Sequence, residues 1–268
     1  MQVLIENKNK IIAFILFVLI IAIALSNLKL KSSDKLKIAY TEDLAGIIMS
    51  NIEEKAKLSK LSSDIEFLNI GDCCGSNAQF VLANNKVDIV VMCPDAVKYL
   101  NEIKNDYVEI GTILYDSDIL ISSKEKKDIK KIGYMNKRNM QKDALDEIFD
   151  GSVAKYPLFP SALPYALSND KIDAAVVDVN SYLLLDIDGI NITKNVPTQN
   201  IVVRKQILDD KRLEDFIKIY NEEINKINED ENYLLEMIKQ NLNIKNLKIE
   251  DLKEKWKRIK VKLGMVQK

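Results

Sequence analysis

The sequence predicts an α/β fold, because short apolar runs rich in β-branched residues alternate with helical segments along most of the chain. The stretch 64–95 shows this pattern most clearly, with a strand (65–70), a glycine-containing turn, a helix (76–84) and a second strand (87–92). If the two strands are parallel, they form a right-handed βαβ unit. A length of 268 residues with 47% hydrophobic content also suits two lobes of roughly 100 residues better than one.

The other elements of the first part of the chain follow from the same alternation. We predict a strand at 35–40, a helix at 44–58, a helix from Pro94 to Ile103, and extended runs at 108–114 and 118–122. Proline suits the first position of a helix, because its missing N–H would have had no partner there. The chain therefore continues as strand and helix up to about residue 122.

A second series of units begins near residue 131. We predict strands at 131–135, 155–159 and 172–177, and helices at 139–149, at 161–168 and from Ser181. Ser161 is typical of a helix N-cap, and Gly151 of a helix stop. The polar segment 195–208 is interpreted as a linker that enters one more strand.

The region from Arg212 to Ile259 is predicted to be helical and to serve packing. Charged residues are spread along it, and apolar residues recur at helical spacing: Phe216, Ile217, Tyr220, Ile224 and Ile227.

Composition excludes several function classes. The 39 basic and 40 acidic residues give a net charge of -1, so nothing indicates a nucleic-acid partner or a strongly basic membrane face. The chain has no histidine. Imidazole catalysis and histidine-based metal sites are therefore excluded.

The first 28 residues indicate export. Lys8 and Lys10 precede fifteen apolar residues, 11–25, and Ala24 with Ser26 supplies a small-x-small spacing for cleavage. Fifteen residues are few for a membrane-spanning helix, which needs about 17 to 25. We interpret 1–28 as either a cleaved signal peptide or a retained membrane anchor, with the rest of the protein outside the cytoplasm.

Four motifs in order carry a resemblance to a known family: K-L-K-I-A-Y-T (35–41), N-A-Q-F-V-L-A-N-N-K-V-D-I-V-V (77–91), P-Y-A-L-S-N-D-K-I-D-A-A-V-V-D (164–178) and Q-N-I-V-V-R-K-Q-I-L (199–208). With them the chain resembles the type II substrate-binding proteins of ABC importers, in the branch of the alkanesulfonate-, nitrate- and thiamine-precursor-binding proteins. The resemblance implies the type II periplasmic binding protein fold, with two Rossmann-like lobes joined by two hinge strands.

The same resemblance implies the domain division and the partners. Lobe 1 is expected at 36–115 plus 197–268, and lobe 2 at 116–196. A non-enzymatic protein without a cofactor is expected, which clamps a small molecule between its lobes and delivers it to the permease and ATPase subunits of an importer.

All three cysteines lie in the opening βαβ unit. Cys73 and Cys74 follow its first strand, and Cys93 follows its second. Adjacent Cα atoms stand about 3.8 Å apart, whereas disulfides prefer about 4.4 to 6.8 Å, so a Cys73–Cys74 bridge would be strained. Thiolates select soft metals. We therefore predict that Cys73, Cys74 and Cys93 bind a soft metal or organometal species as a transported ligand.

The ends of parallel strands meet at one edge of a sheet, where open α/β sheets bind ligands. The ligand-binding residues predicted at such edges are Thr41, Glu42, Cys73, Cys74, Gly75, Ser76 and Cys93 in the first lobe and Asn136, Ser161 and Asp178 in the second. Two alternatives stay open: the turn G-D-C-C-G-S-N is also suited to bind an anion such as a sulfonate, and Cys93 to be a core residue. Lys137 and Arg138 are candidates to neutralise an anionic ligand.

The G-D-C-C-G turn (71–75) carries a narrower resemblance. With this cysteine pair the chain is similar to the SaoB-like group of substrate-binding proteins, described as (seleno)proteins, which implies soft-element or organometal chemistry. The alternatives are a sulfonate- or organic-anion-binding component and an exported thiol oxidoreductase, although the C-x-x-C arrangement suited to thiol exchange is missing.

Overall fold

The computed structural model describes residues 35–59, 63–71, 87–103, 106–242 and 248–267. The chain divides into Met1–Lys35 and one compact unit, Leu36–Lys268, and the fold described below is that of the second. The predicted signal or anchor, the turn from Cys73 to Ser76 and the helix predicted at 76–84 lie outside the described residues. Within the described ranges, no helix has the length and apolar character needed to cross a membrane.

The protein has a mixed α/β architecture with two β-sheets, as the sequence predicts. The strands are Leu36–Tyr40 (β1), Ile65–Asn69 (β2), Ile89–Met92 (β3), Tyr107–Tyr115 (β4), Asp118–Ile121 (β5), Lys131–Met135 (β6), Ala154–Leu158 (β7), Ala174–Asp178 (β8), Gly189–Asn191 (β9), Pro197–Arg204 (β10) and Lys262–Leu263 (β11). The helices are Leu44–Lys57 (α1), Pro94–Ile103 (α2), Asn139–Phe149 (α3), Ala162–Ser168 (α4), Val179–Leu184 (α5), Lys211–Glu229 (α6), Glu231–Asn241 (α7) and Ile249–Arg258 (α8).

The first sheet has the strand order β11-β4-β10-β3-β1-β2. β1 lies between β2 and β3 and is parallel to both, with Ile38 opposite Phe67 on one side and Ile89 on the other. Ile38 and Ile89 are fully buried, because helices cover both faces of a parallel sheet. The loops after β1 and β3 therefore emerge at the same edge, as predicted.

The second sheet has the strand order β7-β6-β8-β5-β9. β6 runs parallel to β7 and β8, whereas β5 is antiparallel to β8 and β9. Asp118, the first residue of β5, is paired with Asp178, the last residue of β8. The antiparallel pairing thus brings the start of one strand to the edge where the other ends.

The C-terminal helices pack against one another and against α1, in agreement with the packing role predicted for 212–259. Leu213 and the predicted Phe216, Tyr220, Ile224 and Ile227 are buried along α6, while Ile217 is partly buried. One charged residue joins this core: Glu223 accepts a hydrogen bond from Tyr233 Oη at 2.7 Å and pairs with Lys55. A buried carboxylate needs such partners, because an unpaired one is costly.

The chain passes from the first sheet to the second after β4 and returns before β10, and Asp116 joins the two crossings. Its backbone has φ 57°, in the left-handed region. Its carboxylate accepts hydrogen bonds from Thr193 Oγ1 at 3.0 Å, Asn195 N at 2.7 Å and Val196 N at 3.0 Å. Next to it, Ser117 Oγ donates to Thr198 Oγ1 at 2.7 Å. The outgoing and returning segments are therefore held side by side.

The C-terminal segment 248–267 contacts elements of both sheets. β11 pairs with β4 of the first sheet. Just before it, Lys260 N donates to Asn191 Oδ1 of β9 at 2.9 Å, and Arg258 pairs with Asp188. This segment, which we call the C-terminal strap, therefore runs from the second sheet to the first.

Several element predictions need correction. β9 and β11 were not predicted, because strands of three and two residues are too short to show an alternation of apolar and polar residues. Pro197 to Asn200, interpreted as linker, belong to β10, because Thr198 and Asn200 are buried with hydrogen-bond partners of their own. α5 begins at Val179 rather than Ser181, with Asp178 as its N-cap.

Candidate functional site

A cavity of about 250 Å³, lined by both polar and apolar side chains, lies where strand ends of the two sheets face each other. Its lining residues come from both sheets and from the helices that follow their strands. Those used below are Thr41, Glu42, Asp43, Leu114 and Gln199 from the first sheet and its loops, and Asp118, Met135, Arg138, Ser161, Asp178, Asn180 and Leu184 from the second. We call this cavity the cleft.

Asp43 is one of two charged residues, with Glu42, that the loop after β1 contributes to the cleft wall. It caps α1, with Oδ1 accepting from Gly46 N at 3.1 Å and from Thr41 Oγ1 at 2.8 Å, while Oδ2 accepts from Gln199 Nε2. The pKa of Asp43 is raised to about 6, mainly by desolvation and also by the charge of Asp178, against the lowering effects of Thr41, Gly46 N–H and Arg138. Asp43 is thus held by neutral donors and titrates near neutral pH.

Gly46 fixes the position of this cap. A Cβ atom at residue 46 would stand 1.6 Å from the carbonyl oxygen of Thr41. No side chain fits there, so the backbone of α1 approaches the end of β1 closely. This close contact holds Thr41 and Asp43 at the cleft.

The second sheet contributes a buried ion pair. Arg138 Nη2 donates to Asp118 Oδ2 at 2.7 Å, and both side chains are buried. Gln141 Nε2 donates to Asp118 Oδ1 at 2.8 Å, and Gln141 Oε1 accepts from Met135 N at 2.9 Å. Desolvation raises the pKa of Asp118, while Arg138 and Gln141 oppose that rise. The guanidinium of Arg138 is therefore committed to a carboxylate of the protein.

Asp178 and Asn180 form the part of the wall where β8 passes into α5. Asp178 caps α5 through Ser181 N (3.0 Å) and Ser181 Oγ (2.7 Å). Asn180 is buried, and its Nδ2 donates to the backbone oxygen of Glu42 at 3.2 Å. Asn180 Oδ1 has no hydrogen-bond partner among the described residues. This wall thus offers the cleft one carboxylate and one unused acceptor.

A second contact joins the two sides near Cys93. Asp95, in the first turn of α2, accepts a hydrogen bond from Met140 N in the first turn of α3 at 3.2 Å. Desolvation raises the pKa of Asp95, and the nearby Cys93 raises it further against the effect of Met140 N–H. Cys93 itself is 1% exposed and packs in an apolar cluster with Ala39, Val90, Met92 and Val202 among others.

The structure brings together part of the predicted site. Thr41, Glu42, Ser161 and Asp178 line the cleft. Asn136 and Cys93 are not among the lining residues, and Cys73, Cys74, Gly75 and Ser76 lie outside the described residues. Ser161 stands at the N-cap position of α4 as predicted, but its side chain makes no capping hydrogen bond.

Of the charged and amide residues that line the cleft, Asp118 and Gln199 were not predicted, and Arg138 was predicted only as a candidate to neutralise an anionic ligand. Asp43 and Asn180 lie directly beside the predicted Glu42 and Asp178, at the strand ends where the sequence places the site. Asp118 and Gln199 carried no local signal, because antiparallel pairing brings them to this edge.

Metal binding by the described residues has no support. Among them, no group of three or more Cys, Asp or Glu side chains is placed to hold an ion. The predicted thiol ligands Cys73 and Cys74 stand outside those ranges. The soft-metal prediction therefore remains a prediction.

Comparison with known proteins identifies the fold. No family model matches the sequence, and no curated protein matches it. Solved structures do match, and those named below are small-molecule- or ligand-binding proteins, one of them a component of an ABC-type import system.

Three of these structures illustrate the similarity. They are the alkanesulfonate-binding protein SsuA from Xanthomonas axonopodis pv. citri bound to MOPS (TM-score 0.65, 12% identity, 87% of this chain and 86% of that chain); a zinc-bound ligand-binding component of an ABC-type import system from Staphylococcus aureus (0.64, 12%, 86% and 85%); and the methionine-binding protein MetQ (0.61, 14%, 88% and 100%). At these identities the similarity shows the fold, which is the type II periplasmic binding protein fold, as predicted.

Proposed function

We propose that this chain is the extracytoplasmic solute-binding component of an ABC importer, which captures a small molecule and delivers it to a permease and its ATPase subunits. The observation that carries the proposal is the cleft, a cavity walled by strand ends of two separate sheets. Ligands of open α/β sheets bind at this position. The similarity to substrate-binding proteins supports the same function.

The proposal includes two lobes that close around the ligand by a hinge motion. Residues 36–115 plus 197–268 would form lobe 1, and 116–196 lobe 2. This division is supported by the sheets, since the strands of each proposed lobe belong to one sheet. The hinge would be the pair of crossings that Asp116 joins.

The proposed role is binding rather than catalysis. The chain has no histidine, the commonest general base. Asp43 and Asp178, the carboxylates that face the cleft, each cap a helix. The segment 1–28 would either direct export and be removed or hold the protein at the outer face of the membrane.

Within this function, a soft metal or organometal ligand remains our proposal for the Cys73–Cys74 turn, together with membership of the SaoB-like group. The proposal depends on those two thiols. The third, Cys93, packs in an apolar cluster and lies close enough to Asp95 and Asp118 to raise the pKa of both carboxyls. An organic anion such as a sulfonate is the alternative ligand for the same turn, and Arg138, a candidate to neutralise it, is paired with Asp118.

A thermal-shift screen of the purified full-length chain tests the function. Amines, amino acids, sulfonates and methylmercury form the panel, because a ligand that binds only the folded state raises its Tm. For any ligand found, small-angle scattering should show a smaller radius of gyration on closure. A panel in which no solute raises the Tm would contradict the proposed function.

The same screen, run on cysteine variants, tests the proposal that the Cys73–Cys74 turn binds a soft metal. We expect methylmercury to raise the Tm of the wild type and of Cys93→Ser, and to leave the Tm of the double variant Cys73→Ser/Cys74→Ser unchanged. Cys93→Ser is the matched control, because it removes one thiol and leaves the adjacent pair intact. A response that survives in the double variant would rule out the cysteine pair as the site.

A further inference from the structure

The described lining of the cleft is acidic. It contains four carboxylates, those of Glu42, Asp43, Asp118 and Asp178, and one cationic side chain, that of Arg138. Arg138 is already paired with Asp118 at 2.7 Å. Neither Asp43 nor Asp178 forms an ion pair with a described lining residue, and the charge of Arg138 acts on Asp43 only as a secondary influence on its pKa.

Asn180 adds a second, independent observation. Its side chain is 5% exposed and lines the cleft. Its Nδ2 is used by the Glu42 backbone, whereas Oδ1 has no partner within the described part of the chain. Buried polar atoms in proteins are nearly always hydrogen-bonded. An acceptor oxygen held in this way requires a donor, which a bound ligand would supply.

The carboxylates near Asn180 influence one another. The charge of Asp178 is one of the causes that raise the pKa of Asp43, after desolvation. A positive charge placed between two such carboxylates relieves both effects, because opposite charges nearby favour the ionised form. A ligand that carries both a positive charge and a hydrogen-bond donor would therefore suit the two carboxylates and Asn180 Oδ1.

We propose that the cleft binds an organic cation that carries N–H donors, an ammonium or amidinium group, seated against Asp43, Asp178 and Asn180 Oδ1. This inference rests on the proposed solute-binding function and narrows its ligand class. An organic cation fits better than a bare metal ion, since no metal-holding group exists among the described residues. Leu114, Met135 and Leu184 give the same cavity apolar surface for the body of the ligand.

Three probes with the same butyl chain test the proposal on the full-length protein. n-Butylammonium carries the charge and the donors, n-butyltrimethylammonium carries the charge alone, and n-butanesulfonate carries the opposite charge. At a concentration about a hundredfold above its Kd, n-butylammonium should raise the Tm by roughly 5 to 10 °C. We expect the quaternary probe to bind roughly tenfold more weakly, and the sulfonate to give no shift.

Charge-removing variants identify the residues involved. Asp43→Asn and Asp178→Asn each remove one charge, and both keep an N-cap because asparagine caps as well as aspartate. Each should weaken n-butylammonium binding roughly ten- to hundredfold, measured by calorimetry. Asp230→Asn is the matched control: Asp230 caps α7, outside the cleft lining, and its substitution should leave the Kd unchanged.

The pH profile gives a further readout. Protonation neutralises Asp43 below about pH 6, so cation binding should weaken as the pH falls from 7.5 to 5. The expected loss is roughly tenfold, and Asp43→Asn should flatten the profile. A helix cap with a purely structural role would not produce this dependence.

The outcomes separate this inference from the proposed function. Stabilisation by the sulfonate but not by n-butylammonium would overturn the cation proposal and leave solute binding intact. So would a response to methylmercury alone, or an Asp178→Asn variant that binds n-butylammonium as tightly as the wild type. If no solute in the wider screen raises the Tm, both the cation proposal and the proposed solute-binding function are contradicted.

Discussion

The two walls of the cleft hold their carboxylates in different ways. On the second-sheet side, Asp118 is paired with the buried guanidinium of Arg138 and with Gln141. On the first-sheet side, Asp43 accepts hydrogen bonds from neutral groups, those of Thr41, Gly46 and Gln199 among them. The charge of Asp118 is neutralised by an ion pair within the protein. Asp43 is held by neutral hydrogen-bond donors, so its negative charge stays available to a ligand in the cleft.

The largest effect is expected when the Arg138–Asp118 ion pair on the second-sheet side is broken. Arg138→Met leaves the Asp118 carboxylate buried without its cation, a change that typically costs about 3 to 5 kcal/mol. Because Arg138 lowers the pKa of Asp118, its removal raises that pKa further and makes the ionised form more costly. We therefore expect a larger loss of unfolding free energy at pH 8 than at pH 5, measured by urea denaturation.

The matched control for that experiment removes both charges. Arg138→Met/Asp118→Asn has no buried carboxylate to leave unpaired, so it should recover part of the lost stability and show little pH dependence. Equal losses at pH 5 and pH 8 in the single variant would show that Asp118 does not depend on Arg138 for its charge.

A smaller effect on the free energy of unfolding is expected at Asp43, on the first-sheet side, and its dependence on pH has the opposite sign. The folded pKa of Asp43 is about 6 and its ordinary value is 3.8. The folded state therefore holds the proton more tightly, and the wild type loses stability as the pH rises from about 4 to 6. Two pKa units correspond to roughly 3 kcal/mol.

Asp43→Asn removes this dependence. The unfolding free energy of the variant minus that of the wild type should rise by roughly 3 kcal/mol between pH 4 and pH 7.5. Asp230→Asn, a cap outside the cleft, controls for the change of capping residue. A constant difference across this range would mean that Asp43 is not the group that titrates.

The smallest effect is expected at Asn180. Asn180→Leu loses one hydrogen bond, to the Glu42 backbone, but it also removes a buried acceptor that has no partner among the described residues. These contributions are each about 1 kcal/mol and oppose one another. Without ligand, the unfolding free energy should therefore change by less than about 1 kcal/mol, whereas n-butylammonium binding should weaken. A large loss of stability would instead assign Asn180 to the fold.

Much of the fold was predictable because its signals are local. The alternation of apolar runs identified most strands, and α2, β6 and α3 begin and end where the sequence predicts. The errors come from interactions between distant segments. Thr198 and Asn200 look like linker residues, yet partners on β4 and its neighbours satisfy them inside a sheet.

The site was less predictable for the same reason. Thr41, Glu42 and Asp178 follow from the rule that ligands bind at strand ends. Arg138 was considered as a partner for an anionic ligand, but its partner is Asp118, twenty residues earlier. Nothing local distinguishes a buried ion pair from a solvated arginine, so the sequence pattern did not reveal that Arg138 pairs with Asp118.

The C-terminal strap has a consequence for ionic strength. Its attachment to the second sheet includes the ion pair of Arg258 with Asp188, whose side chains are 53% and 83% exposed. Exposed pairs of this kind contribute little and are screened by salt. Its attachment to the first sheet is a backbone ladder, which salt does not weaken. Concentrated salt should thus weaken the Arg258–Asp188 pair and leave both the pairing of β11 with β4 and the Lys260–Asn191 hydrogen bond in place.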